Sequence, residues 1–399
     1  MSREAPAPSA SIRYERIGFV STSRADAGIY EPIIEAFAMR MPDRRLFLFA
    51  GGTHTAASFG RTLDSLPRAD NLSIIPVPHH LDGDGPTDVA ASVGRATEGF
   101  SLAFAEHRPD LLFVLGDRTE MLAAAHTATI HRIPLAHIHG GESTAGAYDD
   151  ACRHAITKLS HVHFVVLPEY GERVRAMNEE AWRVHTVGAP ALDRLRDFEP
   201  ESVIELSIAI DLDLSRPTIV VIFHPETLAT IPPGGQIAAL LHSLESFAVN
   251  MLFLGSNSDV GHESIRSAMA AFVGQRPDRR LIPSLPPRRF WSCLAHAAAL
   301  VGNSSAGIIE AASFGLPVVN IGDRQKGRVR PGNVIDIGFD EGAIRGAIER
   351  ALSTEFTAKA AIVENPYGDQ RAAGRIADVM EKLPPATDLL RKLDAKKPP

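Results

Sequence analysis

Along most of this chain, short apolar runs are separated by longer amphipathic stretches. Runs over 17–20, 46–50, 72–77, 111–115, 134–137, 162–166 and 183–187 have the length of buried strands. Helical patterns lie between them, over 28–39, 56–63, 87–107, 119–131, 149–159 and 169–178. This alternation predicts a parallel sheet with helices on both faces. The pattern weakens over 189–216, where Pro190, Pro200 and many charges fall, and then restarts. Strands over 218–223, 251–254, 280–282, 298–301 and 317–321 alternate with helices over 234–248, 260–272, 288–296 and 304–314.

The predicted fold is α/β, with two doubly wound Rossmann-like domains facing a cleft. Residues 14–190 form the first domain and 191–368 the second. A last helical segment, within 369–385, has no strand partner and is expected to pack back on the first domain. Residues 1–13 and 386–399, rich in Ala, Pro and Lys, read as flexible tails.

Composition narrows the function classes. A chain of 399 residues suits two domains, and 45% hydrophobic with 22% charged residues is ordinary for a soluble protein. A net charge of -7 argues against non-specific nucleic-acid binding, so an anionic ligand needs a local basic pocket. Cys152 and Cys293 stand in unrelated contexts, give no disulfide or zinc spacing, and are expected to be buried thiols in a reducing compartment. The first residues show no signal-peptide pattern and no run is long enough to span a bilayer. The expected location is cytoplasmic, with no membrane partner.

Candidate chemistry gathers where strands end. The run Leu111–Leu115 stops in Gly116-Asp117-Arg118. The next strand leads into His137-Ile138-His139-Gly140-Gly141-Glu142, and a helix starts at Asp149-Asp150-Ala151-Cys152-Arg153-His154. In an open parallel sheet this is the edge where ligands bind. In the second half, Leu300-Val301-Gly302-Asn303-Ser304-Ser305-Ala306-Gly307 reads as a strand, a turn of small polar residues and a helix. Backbone N–H groups and hydroxyls there suit a diphosphate. An ordinary serine N-cap is the competing reading, and the flanking Gly302 and Gly307 together with Arg324 favour phosphate.

Glu310 lies further into that helix, either on ribose hydroxyls or on a solvated face. His224, at the end of the first strand of the second half, either donates to a phosphate or is structural. Arg24, in the first turn of the chain, is the corresponding cation of the first half. The segment 320–328 superficially resembles a P-loop but has Arg328 in place of the lysine and opens no βα unit. Arg328 and Arg330 divide evenly between ligand binding and plain surface. No strand is followed by G-x-G-x-x-G, so no dinucleotide cofactor is expected. The His137/His139 and His161/His163 pairs lack carboxylates at ligand spacing, so neither a metal nor any other cofactor is predicted.

Taken together, Ser23-Arg24-Ala25-Asp26, Gly116-Asp117-Arg118, His137-Ile138-His139-Gly140-Gly141-Glu142, Asp149-Asp150…Arg153-His154, His224-Pro225, Gly302-Asn303-Ser304-Ser305 and Asn320-Ile321-Gly322-Asp323-Arg324-Gln325 carry a specific resemblance. The chain resembles the hydrolysing UDP-N-acetylglucosamine 2-epimerases of sialic and legionaminic acid synthesis, from about residue 17 to the last helix. The resemblance implies a GT-B fold and a reaction of UDP-GlcNAc, or its 2,4-diacetamido-2,4,6-trideoxy analogue, with water. UDP and the free 2-epimer are the implied products, formed through a glycal, by a homodimer or homotetramer.

It also implies that Arg24, Ser304, Ser305 and Arg324, with His224 nearby, stabilise the departing diphosphate. Asn257 and Glu310 match nucleotide-contacting positions. Asp117, Glu142 and Asp149, the last rivalled by Asp150, are the acid/base candidates. Arg118 and Arg153 either hold carboxylates ionised or form structural ion pairs. Some family members place a catalytic glutamate two residues after the first histidine of the His-Gly-Gly motif, where this chain has His139. His139 and Glu142 therefore compete for that role. A non-hydrolysing epimerase, a GT-B glycosyltransferase and a nucleotide-sugar sensor are the alternatives.

Overall fold

The computed structural model describes residues 13–56, 62–79, 85–143, 149–226, 229–255, 261–274 and 276–393. The first half opens with β1 (Arg16–Ser21), α1 (Arg24–Arg40), β2 (Arg45–Gly51) and β3 (Leu72–Val77). There follow α2 (Pro86–Glu106), β4 (Leu111–Leu115), α3 (Thr119–Ile130) and β5 (Leu135–Ile138). It closes with α4 (Asp149–Leu159), β6 (Val162–Val165), α5 (Pro168–Ala176) and β7 (Val184–Thr186).

After α6 (Val203–Ile210), the second half runs through β8 (Thr218–Ile222), α7 (Pro233–Leu244), β9 (Asn250–Leu254) and α8 (His262–Val273). Next are β10 (Arg279–Ile282), α9 (Pro287–His296), β11 (Ala299–Gly302), α10 (Ser305–Ile309) and β12 (Val318–Ile321). The final elements are β13 (Val334–Ile337), α11 (Glu341–Ala351), α12 (Thr354–Ala360), α13 (Ala372–Lys382) and α14 (Ala386–Leu389).

Two wholly parallel sheets result, ordered β3-β2-β1-β4-β5-β6-β7 and β10-β9-β8-β11-β12-β13. Their strands are apolar because both faces are covered: every residue of β4, β5, β6, β8, β9, β11 and β12 is buried. In each sheet the winding direction reverses once, at β1/β4 and at β8/β11. Arg24 and Asp117 follow the strands of the first reversal, and His224 and Ser304 those of the second. Such reversals open a crevice at the strand C-termini.

Two expectations about local structure change. The helix expected over 56–63 lies mostly outside the described residues, which show 3-10 turns on either side at Gly52–His54 and Thr62–Ser65. There the buried His54 is tied to Ser21 Oγ at 2.8 Å and Thr62 Oγ1 at 2.7 Å, so side-chain bonds set the turn. The helix over 304–314 is two pieces, α10 and a 3-10 turn at Ala311–Phe314. The weakly patterned 189–216 contains α6, started by a Ser202/Glu205 capping box.

The C-terminal stretch also departs from a flexible tail. Ile376, Ala377 and Met380 of α13 join the first core, along with Leu389 of α14. Asp193 caps α13 by accepting from the N–H groups of Ala372 and Ala373 at 2.9 and 2.7 Å. The buried Arg183 donates to the carbonyls of Leu389 and Arg391 at 3.1 and 2.9 Å. Residues 386–393 are therefore anchored, while 1–12 and 394–399 lie outside the described residues. Cys293 is buried as expected, but Cys152 is only half-buried on α4. Among the described residues no helix is long and apolar enough to cross a membrane.

Candidate active site

The turn after β1 is built by Asp26. Its carboxylate accepts from the Thr22 N–H and hydroxyl at 2.8 and 2.9 Å, and from the Ser23 N–H and hydroxyl at 3.0 and 2.9 Å. This closes a capping box and leaves Arg24 exposed as the first residue of α1.

Beyond β5 the chain turns sharply. His139 has φ 63°, a left-handed conformation uncommon for a side chain of this size. Gly141, at φ 75°, leaves no room for a Cβ, which would lie 2.3 Å from the Tyr170 carbonyl oxygen. Arg173 of α5 fixes the turn by donating to the Gly141 carbonyl at 2.7 Å.

This turn brings four of the sequence candidates into one hydrogen-bonded cluster. Arg153, 2% exposed on α4, donates to the His139 carbonyl at 2.9 Å and to the Asp117 carboxylate. His139 Nδ1 lies 2.5 Å from Glu142 Oε1. The Glu142 side chain is 1% exposed, and its Oε2 is 3.1 Å from the Arg328 guanidinium. Burial alone would raise the Glu142 carboxyl, but His139 and Arg328 outweigh it and hold it well below the usual carboxylate range. His139 Nε2 is buried with no hydrogen-bond partner among the described residues. Behind the cluster His137 Nε2 donates to the Gly116 carbonyl at 2.9 Å, and burial drives the ring down to about 3. It is a neutral structural histidine.

Asp149 and Asp150 occupy the first turn of α4, with Asp150 3.7 Å from Arg153 Nε. Both carboxylates favour the charged form of Arg153. Arg118 lies 3.7 Å from Glu120.

In the second half, Gly302 has φ 140°, and a Cβ there would sit 2.0 Å from the Ile222 carbonyl oxygen. Only glycine lets β11 turn this close to β8. Asn303 is fully buried, accepting from the His224 N–H at 2.7 Å and donating to its carbonyl at 2.9 Å. His224 is thereby fixed beside the Gly302–Ser305 turn. The Ser304 hydroxyl accepts from the Ala306 N–H at 3.3 Å, so it does act as an N-cap. Ser305 is half-buried at the start of α10, and Arg324 is half-buried in the loop after β12. Glu310 accepts from Trp291 Nε1 at 2.7 Å instead of facing solvent, and burial raises its carboxyl. Asn257 lies outside the described residues.

Two residues of the second half were not singled out as site residues by sequence. Arg328 reaches across to Glu142, and Glu226 accepts from the Asp323 N–H at 2.9 Å, shaping the turn before Arg324. Arg328 carried a signal only as one of several guanidiniums after a strand.

Contacts from β5's turn to the loop after β12 show that the two sheets meet at their C-terminal edges. The architecture is that of the GT-B class of two-sheet enzymes. Solved structures of this shape include the UDP-GlcNAc 2-epimerase of Neisseria meningitidis bound to UDP-GlcNAc, at 17% identity and TM-score 0.78, covering 92% of this chain and 100% of that one. A putative UDP-N-acetylglucosamine 2-epimerase from Listeria monocytogenes has TM-score 0.77 at 19% identity, covering 93% and 97%.

Sequence places the chain more finely. It belongs to the UDP-N-acetylglucosamine 2-epimerase family, which it matches over residues 39–381. It is 33% identical to the hydrolysing UDP-N,N'-diacetylbacillosamine 2-epimerase of Legionella pneumophila, over 95% of this chain and 99% of that protein. It is also 33% identical to polysialic acid biosynthesis protein P7 of Escherichia coli, over 90% and 91%.

Proposed function

We propose that the chain is a hydrolysing 2-epimerase. It takes UDP-GlcNAc or UDP-N,N'-diacetylbacillosamine (the 2,4-diacetamido-2,4,6-trideoxy sugar) with water to UDP and the free 2-epimer. The observation that carries this reading is the single cluster joining Asp117, Arg153, His139 and Glu142, tied through Arg328 to the loop after β12 of the second half. The name of the Legionella relative supports the hydrolysing outcome.

The chemistry needs both halves. A C2 proton with no adjacent carbonyl becomes removable only as the C1–O bond to the diphosphate breaks. Preorganised donors to the leaving group therefore lower the main barrier. Ser304, Ser305, Arg324, His224 and Arg24 are assigned that task, with Asn257 and Glu310 on the nucleoside. Loss of the C2 proton and of UDP forms the C1=C2 bond of a glycal. Water then adds at C1, and a proton returns to C2 from the opposite face.

Two groups must move those protons. Asp117 is one. The other is His139 with Glu142 acting as a unit, which removes the competition between them. A carboxylate accepts at Nδ1, so that nitrogen carries the hydrogen and Nε2 of the neutral ring is the proton acceptor. Glu142, held ionised by two partners, is a weak base and serves to orient the ring, as a carboxylate does in a catalytic triad. Arg153 spaces the two groups, and Asp149 and Arg118 border them.

Product analysis by phosphorus and proton NMR tests this. UDP and an unlinked 2-epimer are expected from at least one of the two nucleotide sugars. An epimer still joined to UDP would show a non-hydrolysing enzyme, and UDP with unepimerised sugar would show transfer or plain hydrolysis.

A further inference from the structure

Glu142 belongs to the first half, yet one of its two partners, a guanidinium, comes from the second. Arg328 lies in the loop after β12, and that loop is gripped by the first half and by the crossover that follows α12. The Val329 carbonyl accepts from the Tyr367 hydroxyl at 2.8 Å, and the Val329 N–H donates to the Tyr170 hydroxyl at 3.3 Å. The two hydroxyls are 3.2 Å apart. Since Tyr367 spends its hydrogen on Val329, Tyr170 donates to Tyr367. Both polar groups of Val329 are thereby held, and the neighbouring Arg328 side chain, 10% exposed, is aimed at Glu142.

Arg328 is also tied backwards. Its Nη1 donates to Gln325 Oε1 at 2.9 Å, and Gln325 Nε2 donates to the Asn303 carbonyl at 2.9 Å. Gln325 is 1% exposed, so neither bond is shared with bulk water. A continuous path of hydrogen bonds, with the Arg328–Glu142 ion pair as one link, therefore leads from Asn303, in the middle of the Gly302–Ser305 turn, through Gln325 and Arg328 to Glu142 and on to His139.

We propose that Gln325 and Arg328 are positioning residues that couple occupancy of the diphosphate turn to the His139–Glu142 proton-transfer pair. A nucleoside diphosphate on the turn fixes Asn303, which fixes Gln325 and hence the guanidinium that keeps Glu142 ionised and its oxygen on His139 Nδ1. The links of this path are already formed between the two halves, and a diphosphate on the turn holds them more firmly. That arrangement favours proton removal when the leaving group is in place. Among the described residues, the other charged or titratable groups around the pair include Arg153 from α4, His137 from β5, Tyr170 from α5 and Tyr367 from the crossover. None of these connects to the diphosphate turn through Gln325. The proposal rests on the assignment of that turn to the nucleotide.

The test combines kinetics with a readout that needs no turnover. Arg328→Gln should lower kcat about 100-fold while the Kd for UDP stays within about threefold, and Arg328→Lys should recover about tenfold of the loss. Gln325→Ala should lower kcat about tenfold, and the double variant should be no worse than Arg328→Gln alone, as expected of one unit. Separately, UDP added to the ¹⁵N-histidine-labelled protein should shift the His139 ring signals, assigned with His139→Asn. That shift should vanish in Gln325→Ala and Arg328→Gln although UDP still binds. Multiplicative losses of kcat, UDP affinity falling in step with kcat, or a UDP-induced shift that survives in both variants would overturn the relay. If wild type binds UDP and shows the shift but forms no epimer, the relay stands and the epimerase reading fails. If it binds no UDP, both fail.

Discussion

Arg153→Met is the most informative perturbation of the first-half cluster. The guanidinium is 2% exposed and is the only group among the described residues that touches both Asp117 and the His139 carbonyl. Methionine keeps much of the side-chain volume, so the loss is chiefly electrostatic. It leaves the Asp117 carboxylate, 22% exposed, and a buried carbonyl without their donor. Breaking a buried ion pair on one side costs about 3–5 kcal/mol, and an unmet carbonyl adds about 1–3 kcal/mol before relaxation or water entry reduces the sum. A net loss of about 4 kcal/mol is expected in the urea transition of the first half, read by hydrogen exchange of β4 and β5 amides. Asp117→Leu added to Arg153→Met should return about 1–2 kcal/mol, because the uncompensated carboxylate is gone. A single-variant loss below about 1 kcal/mol, or a double variant worse than the single by several kcal/mol, would refute the reasoning.

Asp117→Asn should bind UDP within about threefold of wild type while kcat falls at least about 100-fold; full activity would remove Asp117 from the proton-transfer pair. Away from the site, Glu179 is fully buried, with Lys158 Nζ at 2.5 Å, Lys392 Nζ at 2.7 Å and His163 Nε2 at 3.1 Å. Burial pushes its carboxyl up, but those three bonds prevail and bring it from 4.5 to about 2. A depressed carboxylate stabilises the fold above its unfolded value, and that contribution is lost as pH falls through the folded one. Glu179→Gln should therefore cost about 3 kcal/mol near neutral pH, with the gap to wild type closing between about pH 4.5 and pH 2. A gap that does not change with pH would contradict this ion-pair account.

Most of the parallel strands were legible because they are apolar runs buried on both sides, as in β4 and β8. β13 was not, since Val334–Ile337 is half-buried at the sheet edge and is broken by the exposed Asp336, so it lacks the continuous apolar signal. α11, which follows it, is interrupted by Gly342 and Gly346, and with α12 it fell in a stretch that carried no predicted element.

Within the site, Asp117, Glu142 and Arg153 were visible as charges placed directly after strands or at a helix start. Their pairing was not, because it depends on the left-handed backbone at His139 and on the path of the chain to Arg328. The choice between His139 and Glu142, open in the sequence, became a statement about one hydrogen-bonded pair once the Nδ1 contact was known. Arg328 shows the limit most plainly. Local spacing gave it even odds of being surface, and only the tertiary grip of Tyr170 and Tyr367 on Val329 puts it on a buried carboxylate.

The most direct measurement of the central claim is the fate of the C2 hydrogen. UDP-GlcNAc and UDP-N,N'-diacetylbacillosamine are each incubated with the protein in deuterated water, and the sugar is followed by proton NMR. Proton removal and return at C2 predict UDP, free 2-epimer and one deuterium at C2 of that product. UDP release with the original proton retained at C2 would contradict it.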